Sequence, residues 1–164
     1  MVRLSRSAGI ILILVLGFLV QAIFSVADHI DSPAKAVVQF SKAYFKLDKS
    51  MAKRICKERL ASKDVDVIDQ YIFLAAKEAK ERGFGINFMK NKLYDIETET
   101  ISKKDNKAQV RITGKIRVSI NPVYPIVAKF FNIGATHEVD ETINVIKEDG
   151  KWKVCGNLFS LPVA

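Results

Sequence analysis

The chain is poor in the side chains that carry most enzyme chemistry. It has two histidines, two cysteines and one tryptophan among 164 residues. His29 and His137 stand far apart, and no His/Cys/Asp cluster has metal-ligand spacing, so no metal is expected. A glycine-rich phosphate loop is missing, because Gly83-Phe84-Gly85 is too short and lacks the lysine and helix that should follow. There is no Gly-x-Ser-x-Gly nucleophile elbow. Asp95, Glu97 and Glu99 are accounted for by cross-strand partners, so no catalytic carboxylate pair stands out. His137 with Glu141 on one strand face is the nearest approach to a base, and a structural histidine is the better reading. No catalytic residue and no cofactor are therefore expected.

Charge is missing from residues 8–27, AGIILILVLGFLVQAIFSVA, where Gln21 and Ser25 are the only clearly polar side chains. Twenty helical residues rise about 30 Å, the thickness of a bilayer's hydrocarbon core. Arg3 and Arg6 precede the run, and Asp28, His29 and Asp31 follow it. Basic flanks stay in the cytoplasm, so the rest of the chain is expected outside. As an uncleaved anchor the run spans the membrane. As a signal peptide it has an apolar core from Ile10 to Val20 and small residues at Ser25-Val26-Ala27 for cleavage. The anchor is favoured, because the run exceeds the usual signal core of about 7–15 residues. The expected organisation is an anchor or signal over 1–27 and one exported domain over 28–164.

The net charge is +8, but bases and acids are interspersed. No basic stripe with interleaved aromatics appears, so nucleic acid is not an expected partner. Export permits a disulfide between Cys56 and Cys155. A facing argument opposes it. Cys155 points away from the core side of the last strand, whereas Cys56 falls on a helix expected to pack on the core side.

Three helices are expected first. Ser32-Pro33 opens one with a hydroxyl cap and a proline at the first helical position. Asp48 caps a second, with Met51, Ile55 and Leu60 on its apolar side. Asp64 or Asp66 starts a third, which Gly83 and Gly85 end. The period then changes from helical to alternating. Ala108, Val110, Ile112, Ile116, Val118 and Ile120 point one way, with polar residues between them. A preceding strand over about 92–102 pairs Glu99 with Arg111, Asp95 with Lys115 and Tyr94 with Ile116, through a three-residue loop at 104–106. A third strand over about 136–148 turns at Asp149-Gly150 into a last one, with Trp152 opposite Lys147 and Val154 opposite Val145. Between the hairpins, NPVYPIVAKFFNI is too apolar for an ordinary surface loop. Either it closes the core, or it meets a ligand or partner through Tyr124, Ile126, Phe130 and Phe131.

The stretches SPAKAVVQFSKAYFKLDKSMAKRI, YDIETETI, AQVRITGKIRV and INVIKEDGKWKVC resemble the opening helices, long paired strands and closing hairpin of NTF2-like domains. The likeness covers about 33–157. Within that superfamily the chain is similar to small exported bacterial proteins with an N-terminal anchor. The resemblance implies an α+β fold of three helices packed on a curved antiparallel sheet, the NTF2-like or cystatin-like cone. It also implies a pocket between the layers and a homodimer through the sheet. Enzymatic members carry a general base and oxyanion donors in that pocket, and no residue here maps onto them. The resulting expectation is a membrane-tethered, non-enzymatic domain on the outer face of a bacterial inner membrane, single-pass, or periplasmic or secreted if cleaved after Ala27. It would bind a protein partner or an apolar ligand. The alternatives are a scaffold subunit of an envelope assembly and, last, an enzyme acting on a small apolar substrate.

Overall fold

A computed structural model describes residues 6–29, 31–60, 66–118, 136–156 and 159. The chain divides into two compact units, Met1–Asp31 and Ser32–Ala164. The first holds helix α1, Arg6–His29. Its described side chains are those of residues 9–21, and Ile10 to Val20 are exposed. That stretch rises about 20 Å at 1.5 Å per residue. Among the described residues, no helix is long and apolar enough to cross a membrane. This overturns the expected transmembrane segment and, with it, the single-pass inner-membrane placement.

In the second unit, α2 covers Pro33–Phe45, α3 Lys57–Leu60 and α4 Val67–Glu81. Two 3-10 helices, Lys49–Arg54 and Ile86–Met89, lie between them and after them. The strands are β1 (Asn91–Lys104), β2 (Lys107–Val118), β3 (His137–Glu148) and β4 (Lys151–Cys155). They form one antiparallel sheet in the order β1-β2-β3-β4.

Local chemistry explains most helix starts. The Ser32 hydroxyl accepts the Lys35 amide at 3.1 Å, with Pro33 in the first turn. Asp48 accepts the Ser50 amide at 2.8 Å, which holds its carboxyl below the usual range. Asp66 accepts the Ile68 amide at 2.9 Å and so starts α4.

The expected three helices on the sheet reduce to one. Only α2 packs broadly across all four strands, burying Ala36, Val37, Phe40 and Tyr44. The second expected helix breaks into the 3-10 helix Lys49–Arg54, an extended pair at Ile55-Cys56 and the four residues of α3. Helix α4 packs mainly on the two 3-10 helices and reaches the core through Ile68 and Tyr71. The inner face of the sheet follows the expected alternation: Ala108, Val110, Ile112, Val139, Ile143, Val145, Trp152 and Val154 are buried.

The Asp149-Gly150 turn has positive φ at both residues, 50° and 77°, and sets Lys147 opposite Trp152 and Val145 opposite Val154. The first hairpin departs from its expected register at both ends. Its turn is Asp105-Asn106, with Lys104 opposite Lys107 and Asp105 at φ 49°. Irregularities fall between Thr100 and Ser102 and between Tyr94 and Glu97. Glu99 faces Arg111 as expected, but Leu93, not Tyr94, faces Ile116 and is buried. Tyr94 instead meets Lys115, and its hydroxyl lies 3.4 Å from Thr136 Oγ1. Asp95, at φ 49°, keeps Lys115 only as a loose ion pair at 3.9 Å.

Gly114 sits against this bulge. A Cβ there would lie 3.2 Å from both Leu93 Cδ1 and the Tyr94 carbonyl oxygen, one of them unyielding backbone. Gly114→Ala should therefore destabilise the domain by about 1–3 kcal/mol. Gly85→Ala, where a Cβ meets nothing within 4 Å, should be near neutral. Urea denaturation of the two variants checks this, and equal midpoints would show that the bulge yields.

Candidate functional site

The described residues carry their most distinctive constellation on the outer face of the sheet, away from α2. Pairing aligns Ser102 with Gln109, Gln109 with Asn144, and Asn144 with Cys155. One transverse row of outward side chains thus crosses all four strands. Gln109 Nε2 donates to Asn144 Oδ1 at 3.1 Å. Gly156, at φ 90°, runs so close beside this row that a Cβ would lie 3.4 Å from Asn144 Nδ2.

A disulfide from Cys155 to Cys56 continues the row. The facing argument against the bridge fails because Cys56 is not on a helix. Ile55 bridges Val154 in parallel, and the Cys56 amide donates to the Val154 carbonyl at 3.0 Å. The pair behaves as a short strand at the edge of β4. Alternation therefore sends Ile55 into the core, 2% exposed, and Cys56 to the outer side, where Cys155 points.

Helix α3 leaves from Cys56 and stands as a wall beside the row. The β3–β4 turn fastens it. Glu148 Oε2 accepts the Lys57 amide at 3.1 Å, and Lys57 Nζ pairs with Asp149 at 2.8 Å. Arg54, just upstream, donates to Gln39 at 2.8 Å and to the Trp152 carbonyl at 3.1 Å. Wall and floor enclose an open groove of about 750 Å³. Among the described residues, Arg59, Lys104 and Lys107 line it with one carboxylate, Glu58.

The ligand atoms of Cys56, Glu58 and Cys155 lie within 4.8 Å of one another. That spacing would suit a metal only with free thiolates, and the disulfide consumes both sulfurs.

Aromatic rings gather around α2: Phe40 and Tyr44 each stack on Phe159, and Tyr44 stacks on Tyr71 of α4 with centroids 4.6 Å apart. Burial, helped by a hydrogen bond with Tyr44, pushes the Tyr71 hydroxyl well above its ordinary range. His137 and Glu141 share a strand face but are both exposed and four residues apart, with Val139 between them on that face. Tyr124, Ile126, Phe130 and Phe131, expected to contact a partner, lie outside the described residues. The outer row was open to sequence reasoning through the alternation of β2 and β3. Arg59 was not, since it reads as any solvated base on a helix.

Removing the bridge with C56S/C155S opens a loop whose ends are 99 residues apart, and should cost about 2–5 kcal/mol. Urea denaturation of oxidised and double-serine protein measures this, and an unchanged midpoint would mean that the hydrogen bonds of α3 hold the wall alone.

Lys57 holds the Asp149 carboxyl below the usual range, and Asp149 in turn raises the Lys57 amine. A depressed carboxyl contributes stability above its unfolded value of about 3.9 and loses it as pH falls through the lower folded value. Carboxyl NMR titration should thus find Asp149 ionised to below pH 3.9, and Lys57→Ala should return it toward that value. An Asp149 that titrates at or above 3.9 in the parent protein contradicts the pairing.

No protein-family model matches the chain, and no curated protein matches it.

Proposed function

We propose that the domain over 32–164 is a non-catalytic binding module that seats a segment of a protein partner in the groove beneath α3. The observation that carries this reading is a groove whose wall is fastened before any ligand arrives. A disulfide, a capped amide and an ion pair all converge on Cys56-Lys57. A preformed wall lowers the ordering cost of association.

The lining suits a protein segment. Apolar surface from Ala108, Val145 and Ile146 lies beside amides, a hydroxyl, ammonium groups and a guanidinium, so the groove can take both the side chains and the backbone of a peptide. Kinship with NTF2-like domains belongs to the same proposal. It rests on the Ser32-Pro33 helix opening and on Asp149-Gly150 before Trp152, and kinship of fold does not assign a function. A disulfide at the groove suits a compartment where thiols stay oxidised.

A photo-crosslinking residue at Gln109 tests the reading, with one at Lys77, exposed on α4, as the comparison. In the source cells the groove position should give one discrete adduct and the α4 position none. Equal labelling from both, or none from Gln109, would refute it.

A further inference from the structure

We propose that the groove recognises an acidic peptide segment, with Arg59 taking a carboxylate of that segment. This rests on the binding-module reading above and names the chemistry of its partner.

Two independent observations point to an anion. The first is Arg59 itself. Its Nη2 is buried and makes no hydrogen bond among the described residues, although the side chain lines an open groove. A guanidinium nitrogen removed from water without an acceptor is unfavourable, and a carboxylate offers two oxygens matched to its planar fork. The second is the hairpin end. Lys104 and Lys107 are direct cross-strand partners and both line the groove. Like charges opposite each other are destabilising, and an anion between them and Arg59 relieves the repulsion.

The remaining lining selects a peptide over a dense polyanion. Glu58 places a negative charge on the wall beside Arg59, which penalises closely spaced phosphates. The same carboxylate accepts hydrogen bonds from peptide N–H groups. Ser102, Gln109 and Asn144 supply neutral donors and acceptors along the row, as an extended backbone requires. Lys104 and Lys107 are exposed, so they strengthen encounter at low salt more than they hold the bound state.

The test is fluorescence anisotropy of labelled hexaglutamate with the oxidised full-length protein at low salt, beside a thymidine hexanucleotide. Hexaglutamate should bind more tightly than the oligonucleotide. Arg59→Ala should weaken it about tenfold or more, and Arg59→Lys should restore binding only in part, since the ammonium lacks the fork. Lys77→Ala, outside the groove, should change nothing. Tighter binding of the oligonucleotide, or an Arg59→Ala protein that binds hexaglutamate like the parent, overturns the proposal.

A measurement on the unmutated protein guards against a variant that fails to fold. The side-chain amide resonances of Gln109 and Asn144 should shift as hexaglutamate is added, and their constancy also overturns the proposal. The two readings fail separately. A Gln109 crosslink without hexaglutamate binding keeps the partner and removes the acidic chemistry. Hexaglutamate binding without a crosslink keeps the acidic groove and removes the cellular protein partner.

Discussion

The edge bridge between Ile55 and Val154 is the constraint on which the rest of the domain depends. One backbone contact places two neighbouring side chains on opposite faces of the sheet. Ile55 joins the core beside Val154, and Cys56 reaches the outer face beside Cys155. The core and the groove are therefore not independent structures. Whatever loosens Ile55 from β4 also releases the root of α3, and the wall that carries Arg59 with it. Extended geometry at only two residues achieves this, because the side-chain period of a strand is two.

Reading the sequence succeeded where local chemistry decides the outcome. Asp149-Gly150 carries its own turn preference, and the pairing of Val145 with Val154 follows from it. Ser32, Asp48 and Asp66 carry their capping oxygens with them. The central register of the first hairpin was legible because Glu99 and Arg111 agree with the apolar alternation of β2.

It failed where a tertiary contact overrides a periodic pattern. Met51 and Ile55 are four apart, as on one helix face, and both are buried. The backbone reaches that result through a 3-10 helix and an extended step, which periodicity cannot distinguish from a helix. The bulge at Asp95 was equally hidden. It follows from the close approach of Gly114 to Leu93 and Tyr94, a contact between strands rather than a local preference. Arg59 was invisible for a related reason. Its significance comes from a wall whose position the disulfide sets, and the facing argument had placed Cys56 on the wrong side.

The chain's only tryptophan occupies an informative place in this arrangement. Trp152 is buried on β4, three residues before Cys155, and its carbonyl accepts from Arg54. Lys103 Nζ lies 5.7 Å from its ring centroid, reaching across from the same hairpin end that bears Lys104. The indole therefore sits on the strand that anchors the bridge and meets, on the inner face, the ammonium of the residue next to Lys104. Its emission is a built-in optical gauge, free of any attached dye, for whether the edge of this sheet is closed.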